Sequence, residues 1–196
     1  MKIVSLKWEK DRVSLLYALM QQGVRVKVRL GCSVQSLLCE QFVLDPAYVA
    51  KRIQTAFLNG KAVDDFASAR VTENSILTLS GALPGLAGAT LRKGGIFSPM
   101  RATLSHRDRA QGEEKGEGFI TLRVFNILLE QLTPVFLARG IYLGKDEFDT
   151  FCRGLSPEDR ENLEKKIVGV SGELGGSDRE TGKRIQADLI ELRIER

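Results

Sequence analysis

Thr55-Ala-Phe-Leu-Asn-Gly-Lys-Ala-Val63 is the stretch on which the fold turns. Ala56-Phe57-Leu58 is a short apolar run, Asn59-Gly60 accepts positive φ at both turn positions, and Lys61-Ala62-Val63 resumes the run. The spacing predicts a two-residue β-hairpin. Downstream, Asn74-Ser75 makes a second turn, and Ile76 to Ser80 follows as a strand with Leu77 and Leu79 on one face. The segment leaves through Gly81 to Gly88, where glycines and Pro84 end regular pairing. Upstream, Val24, Val26 and Val28 alternate with Arg25, Lys27 and Arg29, a strand with one wet face that Gly31 stops. The Ser33 hydroxyl is placed to accept one of the orphan N–H groups of a short helix through Val34, Leu37, Leu38 and Gln41.

The order is therefore strand, helix, hairpin, turn, strand and glycine-rich exit. Gly31-Cys-Ser-Val-Gln-Ser-Leu-Leu38, Phe57-Leu-Asn-Gly-Lys61 and Val71-Thr-Glu-Asn-Ser-Ile-Leu-Thr-Leu79 resemble the β-grasp sulfur carriers of thiamin and molybdopterin synthesis, over about residues 24–88. The resemblance implies a ubiquitin-like fold, in which a mixed sheet wraps one helix and a protein partner binds the open sheet face. It also implies a tight hairpin between the first two strands, where this chain instead has a helix signal. The carriers act through a terminal Gly-Gly carboxylate. Here Gly94-Gly95 is internal, so carrier chemistry would require proteolysis near Gly88 or Gly95.

At 196 residues and 43% hydrophobic content the chain can bury one good core or two small ones, which excludes disorder throughout. Its 29 basic and 25 acidic residues leave a dispersed charge of +4, unlike the concentrated basic face of a duplex-binding domain. Nucleic acid is permitted but not indicated. Cys32, Cys39 and Cys152 form no C-x-x-C pair and cannot all be matched in disulfides, which suggests a reducing compartment and a cytoplasmic location. No apolar run has the length of a signal peptide or of a membrane span, so no membrane association is expected.

Outside the central stretch, Lys2 to Trp8 alternates weakly as a strand, and Val13, Leu16, Tyr17 and Met20 predict a helix over 11–22. Asp45-Pro46 opens a segment that is either one helical turn or the run-in to Thr55. Ala89 to Arg92 and Met100 to Ser105 read as strands. Residues 107–118, rich in charge and glycine, read as a mobile loop and a domain boundary. Ile120, Leu122 and Val124 predict a strand that pairs back onto Met100 to Ser105 as an additional hairpin. A helix follows through Phe125, Leu128, Leu129 and Leu132, which Thr133-Pro134 either kinks or ends. Asp146 to Arg153 reads as a short helix, and Ser156-Pro-Glu-Asp159 starts another. The last segment suits helix or strand. A strand from about Asp188, paired with Val168 to Val170, is favoured. The expectation is an α+β chain: a β-grasp-like module over 1–106, the loop 107–118, and an α+β part with helical character over 119–196 that could pack into the same domain.

Few residues point to chemistry. His106 is the only histidine, set between a strand and a charged loop beside Arg107 and Arg109, which depress protonation without orienting the ring. The three cysteines and His106 do not make a zinc-ligand pattern, and no metal or cofactor is expected. Asp64-Asp65 and Asp146-Glu147-Asp149 are acidic clusters whose adjacent members point apart. Gly182-Lys183 fails the phosphate-loop pattern. Gly85 to Gly95 could cradle a phosphate with backbone N–H groups beside Arg92 and Lys93. The candidate binding set is Arg92, Lys93, Gly94, Gly95, Arg101, Arg107 and Arg109. It would collect at one end of the sheet to meet an acidic protein, a phosphate ligand or single-stranded RNA. With no aromatic interleaving, RNA ranks below protein. No catalytic residue is assigned. The expected function is a non-catalytic protein-interaction or self-association module, with a phosphate-ligand protein or a processed sulfur carrier as alternatives.

Overall fold

The valines of the Val24–Arg29 strand are buried and its bases are half-buried or exposed, and this alternation sets the plan of the molecule. The structure, a computed structural model, describes residues 3–8, 10–95, 116–161 and 188–194. Among the described residues, strands β1 (Ile3–Trp8), β2 (Val24–Arg29), β3 (Thr55–Leu58), β4 (Lys61–Ala62), β5 (Ile76–Ser80), β6 (Glu117–Phe125), β7 (Ile141–Gly144) and β8 (Leu189–Ile194) form one mixed sheet. Their order is β1-β8-β7-β2-β6-β5-β3-β4. The class is α+β, and the strands come from both sides of residues 107–115.

Helices cover one face of the sheet. A 3₁₀ turn, Lys10–Leu16, leads into α1 (Tyr17–Gln22), and α2 (Val34–Ser36) continues as a π turn over Leu37–Gln41. They are joined by α3 (Pro46–Arg52), α5 (Leu128–Arg139) and α6 (Lys145–Gly154), each with residues in the shared core, and α4 (Gly85–Leu91) follows β5. Leu16, Met20, Leu37, Leu38, Ile53, Leu128, Leu132 and Phe136 share one core with Val24, Val26, Leu77, Leu79, Ile120 and Leu122. Fully burying each such side chain is worth roughly 1.5–3 kcal/mol, so the face carrying the valines of β2 must be the covered one. Phe136 also meets Phe42 edge to face at 4.8 Å.

The central stretch folds as its turn residues dictate. Phe57 pairs with Ala62 and Leu58 with Lys61, while Asn59 and Gly60 take φ of 52° and 77°. The Asn59 side chain adds a tie that turn propensity alone does not reveal: Oδ1 accepts from the Ile76 N–H at 2.8 Å. Ser33 Oγ accepts from the Ser36 N–H at 3.1 Å. Asp45 Oδ1 accepts from Tyr48 N–H with Pro46 in the first turn, which resolves this segment as a helix before Thr55.

Several expectations are corrected. Ala89 to Leu91 belong to α4, not to a strand, and Arg92 follows directly. Ala87 and Ala89 favour helix, Pro84 sits at the cap where its missing N–H costs nothing, and Gly88 admits the Leu83 carbonyl into space a Cβ would fill. Residues 100–105, and with them the expected additional hairpin, lie outside the described residues. Among the described residues, β6 pairs with β2 (antiparallel) and β5 (parallel). Glu117 and Gly118, assigned to the loop, pair with Arg29 and Val28 as the start of β6; residues 107–115 lie outside the described ones.

Phe125 ends β6 opposite Ser80 instead of opening a helix, because Asn126 turns the chain at φ 58°. The α5 helix runs through Pro134. At the C-terminal end β8 is a strand, lying between β1 and β7; Val168 to Val170, expected as its partner, lie outside the described residues. No tight hairpin joins the first two strands. The helical segment after Trp8 carries the chain across the sheet, leaving β1 at the far edge beside β8.

Candidate functional site

Arg92 to Gly95 do not form an open phosphate cradle. The Arg92 N–H donates to Gly88 O at 3.0 Å, Lys93 N–H to Gln54 O at 2.7 Å and Gly95 N–H to Arg92 O at 3.1 Å. The Gly94 N–H donates to Asp64 Oδ1 at 3.1 Å, with Gly94 at φ 61°. The backbone N–H groups of Arg92, Lys93, Gly94 and Gly95 are thus all engaged within the chain. Lys93 Nζ lies 4.1 Å from the Phe66 ring centroid, and burial holds its ammonium below the ordinary lysine range. This segment is a clasp that ties α4 to the loop after β4. Arg101, Arg107 and Arg109, and with them His106 and Gly182-Lys183, lie outside the described residues.

One member of each acidic cluster has a structural role. Asp65 Oδ1 accepts from Ala67 N–H at 2.9 Å, and chiefly that bond holds its carboxyl below the ordinary range. Glu147 Oε2 accepts from Gly144 N–H at 2.6 Å at the start of α6 and lies 3.7 Å from Arg25. Cys32, Cys39 and Cys152 are free thiols; burial pushes Cys32 and Cys39 up, away from the reactive thiolate. Gln41 Nε2 donates to both Arg29 O and Cys32 Sγ, which seals the end of β2. Among the described residues no group of three or more His, Cys, Asp or Glu is arranged to hold a metal ion.

What the tertiary structure does assemble is the sheet face opposite the helices. Registering β2 against β6 sets Lys27 opposite Phe119 and Arg25 opposite Thr121; β5 sets Thr78 beside Arg123. Tyr142 of β7 lies beside Arg25, and its ring meets Phe119 edge to face at 5.2 Å. Side chains one strand apart on the same face are roughly 5 Å apart, so these residues form a continuous surface. Phe119, Thr121, Arg123 and Phe125 are half-buried, while the Arg25 and Lys27 side chains retain 39% and 47% of their exposure. Lys27 pairs with Glu117 at 2.6 Å. Arg123 Nε is buried without a hydrogen-bond partner among the described residues, so the fold leaves part of its donor capacity unanswered.

Toward the β1 edge the same face closes. Glu191 accepts from Tyr142 OH at 2.7 Å, from Arg193 Nε at 2.8 Å and from Ser5 Oγ. Burial by itself raises the Glu191 carboxyl, but these three donors prevail and hold it below the ordinary value. Tyr142 is pushed up by burial and then by Glu191. With its donors satisfied this cluster buttons β1, β8 and β7 together.

Sequence reasoning identified the wet side of β2 but missed the surface it joins: Phe119 and Arg123 on β6, Tyr142 on β7 and, one strand further, Glu191 on β8. The alternation of Phe119, Thr121, Arg123 and Phe125 with Ile120, Leu122 and Val124 is the signal that marks the second strand of the surface. Comparison with family models, curated proteins and solved structures returned no match.

Proposed function

We propose that the chain is a non-catalytic interaction module that docks an acidic protein partner on the outer face of β2 and β6, built on a β-grasp-like sheet. The observation that carries this reading is the juxtaposition of Arg25, Lys27 and Arg123 with the half-buried Phe119 and Phe125 on a face opposite the helices. Half-buried aromatics gain from further burial, and the bases select the sign of what covers them. The engaged N–H groups of Arg92 to Gly95 favour this reading over a phosphate site on that segment.

The test is retention of a partner by the immobilised full chain from a native extract, with bound proteins identified by mass and light scattering run in parallel. Arg25→Glu with Arg123→Glu should abolish retention, while Lys51→Glu, on α3 in the helical layer, should preserve it. A strictly monomeric chain that retains nothing, or retention indifferent to the charge reversal, refutes the reading.

A further inference from the structure

The helical layer carries a second surface, of different chemistry. Leu15, Ala18 and Leu19 fall at i, i+3 and i+4 along the 3₁₀ turn and α1, and face Phe151, Gly154 and Leu155 at the end of α6. Between them runs an open groove of about 560 Å³. Its lining is mostly apolar, and its charged members are both acids, Asp146 and Glu147, at the start of α6.

We propose that this groove docks an amphipathic helix of a partner protein whose apolar stripe is flanked by basic residues. The volume lies within the range of ligand-sized clefts, about 300–1,000 Å³, and so suits a set of anchoring side chains. Leu15 to Gln22 covers roughly 10 Å at 1.5 Å per residue, two turns of helix, which matches anchors at i, i+3 or i+4, and i+7. Ala18 and Gly154 keep both walls low enough for a backbone to approach. The rim decides the sign of the occupant. Glu147 is engaged with Gly144 and Arg25, so Asp146 is the acid assigned to a partner's lysine or arginine. The same rim repels an anionic membrane surface.

Two fluorescein-labelled helical peptides with the same leucine stripe, one lysine-flanked and one glutamate-flanked, test this by anisotropy against the full chain. The lysine peptide should bind at least about tenfold more tightly, a difference near 1.4 kcal/mol. Asp146→Lys should erase that preference. A Cβ built at Gly154 meets nothing within 4 Å, so Gly154→Trp should fill the groove and weaken binding about tenfold or more, with unchanged circular dichroism. Should that variant not fold, Ala18→Trp at an exposed position blocks the same groove. Equal affinity for both peptides, binding of neither, or binding untouched by the blocking variants overturns the proposal. So does sedimentation showing a dimer that Gly154→Trp dissociates, since the occupant would then be a second copy. None of these outcomes depends on the sheet face.

Discussion

The Tyr142 hydroxyl donates to Glu191 Oε1 at 2.7 Å across the β7–β8 pair, and Gly140, just before β7, leaves the space in which that carboxylate lies. A buried carboxylate is tolerated only when its oxygens are answered. Ser5, Tyr142 and Arg193 answer them, and so couple the edge strand β1 to the interior of the sheet.

Glu191→Gln should therefore destabilise the fold in a pH-dependent way. A carboxyl held below its unfolded value stabilises the fold above that value, and the contribution is lost as pH falls through the folded value. Melting curves of the two proteins should differ most near neutrality, by about 1–3 kcal/mol, and converge as pH drops below the ordinary carboxylate value of about 4.3. A difference constant across this range would show that the charge of Glu191 does not contribute.

Two glycines should respond oppositely to alanine. Gly140 has φ 98°, and an added Cβ would lie 2.6 Å from Glu191 Oε1 and 3.0 Å from Arg193 Nε, so Gly140→Ala should cost more than about 1 kcal/mol in denaturant melts. Gly154 ends α6 with open space around it, and Gly154→Ala should be neutral or stabilise by up to about 1 kcal/mol.

Thr133 is fully buried in α5, and its hydroxyl has no hydrogen-bond partner among the described residues. Replacing an unanswered hydroxyl by a methyl of similar shape removes a desolvation cost, so Thr133→Val should raise stability by about 1 kcal/mol. A loss on melting would show that the hydroxyl is satisfied in solution.

At the hairpin tip, Gly60→Ala meets no steric obstacle and should cost only the strain of φ 77°, about 1–2 kcal/mol. Asn59→Gly keeps the turn but deletes the bond to Ile76 N–H. It should speed amide exchange at Ile76 while leaving the exchange of Leu58 and Lys61 nearly unchanged.

Much of the local structure was legible because it is written in neighbouring residues. Ser33 and Ser156 cap the helices they were expected to cap, the latter by accepting from Asp159 N–H at 3.1 Å, and Asp45 caps α3, a segment the sequence left open between a helical turn and a run-in to Thr55. The candidate binding set was far less legible. Gly85 to Gly95 read as a cradle from composition, yet Gln54 O and Asp64 Oδ1, thirty or more residues upstream, take the N–H groups of Lys93 and Gly94. The strand reading of Ala89 to Leu91 failed because a few alternating residues fit either period, and the Leu83 carbonyl against Gly88 decided for helix.

By itself, the sequence determined the hairpin at Asn59-Gly60, the wet and dry sides of β2 and β6, and the caps, since each depends on φ preferences or periodicity within a few residues. Only the tertiary structure decided that β6 lies between β2 and β5, that β8 joins β1 to β7, and that Arg25 and Tyr142 are neighbours. Alternation tells a strand which face to bury, but the N–H and C=O groups along its edges are the same in every strand, so the choice of neighbour is settled by the packing of the whole chain.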